Sequence, residues 1–186
     1  MSAVLDLTNT SHCRSATGVQ RVARQLYAAL AETDTGPLAV VYDPYAKRWR
    51  LAGKSEQTLL APAAAEKPGA SRSEVWTIAQ KLHGLLRRGQ EPDWEKLRSV
   101  PLLAPEIFSA EIFPRYADLR AKLNSSSAAL FYDAVAVRLP QLTPAGNVAR
   151  VENYLRELAS FDGVAAISEA SRADLIEQWA RLGVND

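Results

Sequence analysis

Residues 3–30 read AVLDLTNTSHCRSATGVQRVARQLYAAL. The apolar segment 3–8 predicts a β-strand, and the polar segment 9–16 predicts a loop. A helix begins at Thr17 and Gly18, since the apolar residues that follow recur at the spacing of one helix face. A strand, a loop and a helix in this order are typical of the βαβ units of a parallel sheet. The apolar face of this helix consists of Val19, Val22, Ala23, Leu26, Tyr27 and Leu30.

The rest of the chain continues the alternation of short apolar runs with segments of helical periodicity, without an internal repeat. We therefore predict a single α/β domain over residues 1–186, with an open, mostly parallel sheet flanked by helices. The segment 59–71, which contains two prolines and a glycine, is interpreted as a surface loop. The further predicted strands are 38–42, 45–51, 100–104, 128–133 and 163–167, and the further predicted helices are 73–86, 111–123, 143–161 and a last helix capped by Ser168.

The composition is that of an ordinary globular domain and excludes several classes of protein. With 47% hydrophobic and 23% charged residues, the chain is far from a disordered composition. The 22 Lys and Arg residues balance 21 Asp and Glu, which argues against a nucleic-acid-binding protein because such proteins carry a basic excess. One cysteine rules out a disulfide framework, and two histidines leave little for a metal site. We expect neither a metal nor a cofactor.

The sequence predicts a protein of the cytoplasm. The first residues carry no basic segment and reach a charge at Asp6, so they do not form a signal peptide. No apolar run approaches the ~18 residues that a membrane span needs. The segment 76–86 combines apolar residues with Lys81, Arg87 and Arg88, a pattern that also suits peripheral contact with an anionic membrane surface. Packing on the core with a solvated basic end is the favoured interpretation.

Ligands of an open parallel sheet bind beyond the carboxyl ends of its strands, so the polar residues at these ends are the candidates for chemistry. Asp133 is a candidate base or hydroxyl ligand; the alternative is that it caps the loop that follows. Glu106 is a candidate ligand for a polar substrate, and the alternative is a merely solvated side chain. The other polar residues at the ends of these strands are Asn9, Thr10, Ser168 and Glu169.

Gly18 lies at the first strand–loop–helix junction. A glycine there lets a ligand approach the main chain, and free N–H groups favour a phosphate. The alternative is an ordinary helix start that Thr17 caps. The GxGxxG and GxxxxGK[ST] patterns do not occur, so neither nucleotide-binding fingerprint supports a site here. In the preceding loop, His12 is either exposed or functional, and Cys13 has no base nearby in sequence, which argues against a thiol enzyme.

Three segments of the chain resemble those of a known family. Residues 17–30, TGVQRVARQLYAAL, resemble the TGIQRV-x-R-x-L helix start of family 4 glycosyltransferases of the GT-B fold. Residues 132–140, YDAVAVRLP, resemble the family's HD-x-IPLR-x-P segment, and residues 161–175, FDGVAAISEASRADL, are similar to its AD-x-VIAVSEASR-x-DL segment. The three occur in the family's order and cover both ends of the chain, whereas residues 44–127 match weakly.

The resemblance implies the N-terminal, acceptor-side domain of a GT-B enzyme, with a Rossmann-like sheet. Such enzymes move a sugar from a nucleotide-sugar donor to a glycan or lipid-linked acceptor in polysaccharide or glycoconjugate synthesis. Members of this family generally retain the anomeric configuration and need no metal. The main chain at Thr17, Gly18 and Val19 would approach the donor diphosphate, and Asp133 is the candidate catalytic residue. The candidates for acceptor binding are Glu106, Tyr132, Arg21 and Glu169.

The nucleotide-sugar pocket of the family lies in a C-terminal domain to which no part of this sequence corresponds. We expect that half to be supplied in cis or by a separate polypeptide, and we expect the chain by itself to be inactive. Tyr132 departs from the family pattern, which has His before the Asp; a phenol, with a reference pKa of about 10, is a poor general base at neutral pH. The alternatives are a non-catalytic acceptor-binding or anchoring subunit and an unrelated flavodoxin-like ligand-binding domain.

Overall fold

The structure, a computed structural model, describes residues 3–15, 17–64, 77–86, 91–108, 111–144 and 146–184. Its strands are β1 (Ala3–Asp6), β2 (Pro37–Asp43), β3 (Arg48–Leu51), β4 (Leu102–Ala104), β5 (Ser127–Phe131) and β6 (Gly163–Ala166). Its helices are α1 (Gly18–Ala31), α2 (Lys54–Leu60), α3 (Ile78–Leu85), α4 (Trp94–Leu97), α5 (Phe113–Leu123), α6 (Val135–Arg138), α7 (Asn147–Leu158) and α8 (Glu169–Leu182). Single 3-10 turns lie at Thr10–His12, Pro62–Ala64 and Pro140–Leu142.

The six strands form one sheet in the order β3-β2-β1-β4-β5-β6. Every neighbouring pair is parallel except the β2–β3 hairpin. The chain winds from β1 outwards to β3 and then returns to the other side of β1 at β4. This reversal opens a crevice at the carboxyl ends of β1 and β4, the usual place for a ligand in such a sheet. The predicted α/β class and the mostly parallel, Rossmann-like sheet are confirmed.

The sheet is covered on both faces, because alternate residues of each strand point to opposite sides. On β1, Val4 belongs to one buried cluster and Leu5 to the other. The smaller cluster receives Ala23 of α1 and Leu60 of α2. Burial of β1 on both faces explains why its sequence is apolar at consecutive positions. The larger cluster is rich in aromatic side chains, which include Trp49, Phe108, Tyr116 and Phe131.

The predicted helix 73–86 differs from the structure in its extent and its packing. Within the described residues it begins at Ile78, and positions 73–76 lie outside them. The prediction that it packs on the core is wrong for the described part, since Ile78, Leu82 and Leu86 are 78%, 51% and 59% exposed. The helix instead approaches the β2–β3 hairpin through Gly84, where an added Cβ would lie 2.7 Å from Oδ1 of Asp43. Its closest contact is therefore made by its glycine and not by its apolar side chains.

The other predicted elements occur with shifted ends, and several short elements were not predicted. The predicted loop 59–71 begins inside α2 and includes a 3-10 turn, and its positions 65–71 lie outside the described residues. The short helices α2, α4 and α6 had no sequence prediction. No helix among the described residues combines the length and the apolar character that crossing a membrane requires.

Candidate functional site

A cleft of about 600 Å³ opens at the carboxyl edge of the sheet, beside the crevice between β1 and β4. The loop between β1 and α1 contributes Asn9, Cys13 and Ser15 to its lining. Ile107 follows β4 and Asp133 follows β5, and both also line the cleft. Residues that follow β4 and β5 thus line one cleft together with the loop between β1 and α1, as expected for a sheet with this strand order.

The start of α1 supplies main-chain donors to this cleft. Thr17 and Val19 line it together with Gln20, and Gly18 is the first residue of the helix. The N–H groups of the first turn have no acceptor within a helix, and Thr17 makes no side-chain capping hydrogen bond to them in the described structure. An added Cβ at Gly18 would meet nothing within 4 Å. Within the described residues, this first turn therefore has no side-chain cap, and open space lies beside Gly18.

Asp133 has the capping role that the sequence left open, and its contact with a hydroxyl group stays a prediction. Its carboxylate accepts a hydrogen bond of 3.1 Å from the N–H of Val135 and so holds the start of α6. The residue is exposed and lines the cleft. Because a carboxylate oxygen can accept more than one hydrogen bond, capping the loop leaves Asp133 able to meet a hydroxyl group.

Arg150 is a cleft residue that the sequence reasoning missed. It lies in the first turn of α7 and lines the cleft with Asp133. Within the described part of the chain, no carboxylate pairs with its side chain. A cation near a helix N-terminus is locally unfavourable, because that end of the helix carries a partial positive charge. This conflict with the helix dipole is the sequence signal that could have singled out Arg150.

Glu106 is buried beneath the loop that lines the cleft, and only 3% of it is exposed. Its two carboxylate oxygens accept hydrogen bonds of 2.8 Å from the N–H groups of Asn9 and Thr10. Arg24 of α1 holds the same loop at its other end by donating to the carbonyl oxygens of Cys13 and Ser15. In this structure Glu106 shapes the loop, and a direct role in substrate binding stays a prediction.

Two buried acids lie together under the crevice. Asp6 of β1 accepts hydrogen bonds from the Tyr116 hydroxyl and from Thr8, and burial raises its pKa. Burial, together with the nearby charge of Asp6, raises the pKa of Glu106 to about 8. The free energy of unfolding therefore depends on pH near neutrality through Glu106.

Tyr132 is buried, with 6% of its surface exposed. Its hydroxyl donates a hydrogen bond of 2.6 Å to the carbonyl oxygen of Pro105. Burial and the charge of Glu106 raise its pKa to about 12. Both observations agree with the expectation that Tyr132 is a poor general base, and its contact with a sugar stays a prediction.

The two remaining candidates lie outside the cleft lining. Arg21 is an exposed residue of α1, and Glu169 is an exposed residue at the start of α8. The Glu169 carboxylate lies 3.9 Å from Arg172 in a solvent-exposed ion pair. Neither is among the described residues around the cleft, so their contact with an acceptor stays a prediction.

A metal centre finds no support in the described ranges, where no group of three or more His, Cys, Asp or Glu side chains is arranged to hold an ion. Metal independence nevertheless stays a prediction. His12, which the sequence left as either exposed or functional, is 1% exposed and pairs with Glu56. Cys13 contacts Ser15, with 2.9 Å between Sγ and Oγ.

Comparisons of this chain with protein-family models, with curated proteins and with solved structures give no match.

Proposed function

We propose that the chain is the N-terminal, acceptor-side half of a GT-B glycosyltransferase. The enzyme would transfer a sugar from a nucleotide-sugar donor to a glycan or lipid-linked acceptor, as a step in polysaccharide or glycoconjugate synthesis. It retains the anomeric configuration and uses no metal. The proposal rests on the three sequence segments that resemble the family and on the cleft to which two of them contribute.

One observation carries the proposal: the uncapped start of α1, Asp133 and Arg150 line one cleft at the carboxyl edge of the sheet. Main-chain N–H groups at a helix start and a guanidinium are the donors that bind phosphate oxygens. A carboxylate is the acceptor that a sugar hydroxyl needs. This set of groups suits a ligand that carries both phosphate and hydroxyl groups, as a nucleotide sugar does.

The residues have separate roles in this proposal. The main chain at Thr17, Gly18 and Val19 binds the donor diphosphate, and Arg150 neutralises part of its charge. Asp133 accepts from a hydroxyl group at the reacting centre. Contacts with the acceptor come from Tyr132, Glu106, Arg21 and Glu169.

The proposal requires a second, nucleotide-sugar-binding half in cis or in trans, because transfer needs a positioned donor and stabilisation of the departing nucleotide. The protein acts in the cytoplasm, either free or in peripheral contact with the inner face of the membrane. It does not bind nucleic acid in this proposal. The charge balance of the chain supports that exclusion.

The test is a transfer assay with radiolabelled nucleotide sugars and mixed glycan and lipid-linked acceptors. It is run on this chain alone and on the chain with a nucleotide-sugar-binding half added as a continuation or as a separate polypeptide. We expect folded protein without turnover in the first case and transfer in the second. Turnover by the chain alone would contradict the half-enzyme proposal. Acceptor binding without transfer in both cases would favour the acceptor-binding subunit instead.

A further inference from the structure

The loop between β1 and α1 is buried although it has almost no apolar side chain to anchor it. Between Thr8 and Ser15 the only hydrophobic residue is Cys13. Thr10 and His12 are nonetheless 0% and 1% exposed. A polar segment is buried at low cost only when its polar groups are paired. Side chains from neighbouring elements must therefore hold this wall of the cleft.

Four ionisable side chains form a continuous buried row behind the loop, which we name the charge row: Asp43, Arg50, Glu56 and His12. Arg50 of β3 donates from Nε to Asp43 of β2 at 3.0 Å. Its two terminal nitrogens donate to the two oxygens of Glu56 in α2, each at 2.7 Å. The same carboxylate lies 2.6 Å from Nε2 of His12. The row thus joins the β2–β3 hairpin, α2 and the loop.

The contacts of His12 define the hydrogen bond that it makes to Glu56. Nε2 faces the Glu56 carboxylate, and Nδ1 lies 2.8 Å from the carbonyl oxygen of Thr8. Burial raises the pKa of Glu56, but the hydrogen bonds from Arg50 and His12 outweigh it and the pKa is about 2. An ionised carboxylate only accepts hydrogen bonds, so Nε2 of His12 carries a proton and donates it to Glu56. The Glu56 carboxylate therefore pairs with Arg50 on one side and holds the His12 ring on the other.

Glu56 is the member on which the row depends. It accepts hydrogen bonds from both Arg50 and His12, and it also accepts from the N–H of Gly53 at 2.6 Å. Loss of its charge weakens the pairing of the buried Arg50 guanidinium and the hydrogen bond from His12, an unfavourable state that the loop relieves by moving His12 towards solvent. Glu56 is 1% exposed and lies behind the loop, so its direct contact with the loop in the described structure is the one with His12.

We infer that Glu56 is a positioning residue of the cleft: through His12 it fixes the β1–α1 loop in the conformation that binds a phosphorylated ligand. The identity of the ligand rests on the proposed function, whereas the effect on the loop does not. Asn9, Cys13 and Ser15 of this loop line the cleft, so displacement of the loop changes the binding surface directly.

The position of the loop can be measured without any ligand, because Cys13 is the one cysteine in the 186 residues. It is 6% exposed, and its reaction with iodoacetamide therefore reports opening of the loop. We expect Glu56→Gln to raise the alkylation rate at least 10-fold, with a rate that low concentrations of urea do not change, as for a local opening. The matched control is Glu152→Gln, which removes a carboxylate from a surface pair with Arg181 and leaves the rate unchanged.

Two further readouts separate positioning from stability. In ¹⁵N NMR spectra of the unmodified chain, the proton on Nε2 of His12 shows its hydrogen bond to Glu56, and Glu56→Gln loses this hydrogen-bonded signal. Titration with inorganic pyrophosphate, followed at the amides of Ser15 and Val19, gives at least 10-fold weaker binding in Glu56→Gln than in Glu152→Gln. If Glu56→Gln does not fold, His12→Gln replaces it, because this change releases the loop and leaves the other three members of the row intact.

The outcomes are distinguishable. Faster alkylation with weaker pyrophosphate binding supports the inference. An unchanged alkylation rate in a folded variant overturns it, and so does weaker binding with an unchanged rate, because the effect then does not pass through the loop. If the unmodified chain does not bind pyrophosphate, the phosphate site of the proposed function fails, and the inference about the binding conformation fails with it. The alkylation rates and ring spectra then still decide whether Glu56 holds the loop.

Discussion

Gly18 and Arg150 offer a ligand two different kinds of hydrogen-bond donor. Gly18 exposes main-chain N–H groups with no side chain in the way. Arg150 brings a delocalised charge at the end of a long, mobile side chain. The first donor requires close approach of the ligand and the second requires only charge, so substitutions at the two residues test them separately.

Replacing Gly18 by Val should weaken the binding of a nucleoside diphosphate at least 10-fold, because the branched side chain fills the space beside the helix start. The free energy of unfolding should stay within about 0.5 kcal/mol, since nothing lies near the new side chain and Val has a higher helix propensity than Gly. Titration with UDP and urea unfolding measure the two effects. The control is Gly163→Val at the start of the edge strand β6, where an added Cβ also meets nothing. Equal affinity in both variants would make Gly18 an ordinary helix start.

Replacing Arg150 by Gln should weaken the same binding by about 10–100-fold, the usual contribution of hydrogen bonds to a charged group. Unfolding should be unaffected, because Arg150 is exposed and makes no ion pair within the described residues. Arg156→Gln is the control on the same helix, where the side chain donates to the carbonyl oxygen of Leu182. Equal UDP affinity in the two variants would remove Arg150 from the site.

At the scale of the elements, α1 and α8 differ in whether the hydroxyl residue at the N-cap position caps the helix. Ser168 accepts a hydrogen bond of 3.1 Å from the N–H of Ser171, so its side chain caps α8. Thr17 occupies the equivalent position of α1 and makes no such bond in the described structure. In α8 the side chain of Ser168 therefore accepts from one N–H group of the first turn, whereas the N–H groups at the start of α1 remain available to a ligand in the cleft.

Ser168→Ala should therefore lower the free energy of unfolding by about 1 kcal/mol, the usual value of an N-cap. Thr17→Ala should cost less than half of this amount, because no capping bond is lost. Urea unfolding of both variants, followed by circular dichroism, compares them directly. An equal loss in the two variants would show that the side chain of Thr17 caps α1 in solution.

The elements that the sequence predicts well are those whose pattern is local. The strand at residues 3–8 and the Ser168 cap are recognised from apolar runs and cap chemistry, and both are present. Short α2 was missed because seven residues carry too little periodicity. The outward-facing apolar residues of α3 were missed because periodicity shows that a helix has an apolar face but not whether another element covers it.

The candidate site was predictable only in part, for a related reason. The sheet order places Asp133 and the start of α1 at one edge, so the rule for strand ends found them. The partners of buried charges are set by tertiary contacts between residues far apart in sequence, such as Glu106 with Asn9 and Glu56 with His12. The spacing of residues along the chain does not predict such a pair. The sequence therefore revealed some of the buried groups that shape the cleft, such as Glu106, but not their partners.

On the scale of the whole molecule, two buried acids make stability depend on pH with opposite signs. The pKa of Glu106 is about 8, above its ordinary value of 4.5, so its contribution to stability is present below pH 4.5 and is lost as the pH rises towards 8. The pKa of Glu56 is about 2, so its contribution is present above pH 4.5 and is lost as the pH falls towards 2. These two groups together favour the folded state most near pH 4.5, where both contributions are present.

Glu106→Gln should flatten the fall in stability between pH 5 and pH 8. In the unmodified chain Glu106 contributes a slope of up to about 1.4 kcal/mol per pH unit over this range, because the unfolded state ionises this carboxyl whereas burial keeps it neutral in the folded state. The amide cannot ionise and still offers one oxygen to the loop, so the slope decreases while the fold persists. A residual slope in the same direction is expected from Asp6, whose pKa burial also raises.

Urea unfolding at four pH values measures the slopes, with Glu152→Gln as the control that keeps the original slope. Equal slopes in the two variants would show that Glu106 is ionised throughout the range, held as a carboxylate by the N–H groups of Asn9 and Thr10.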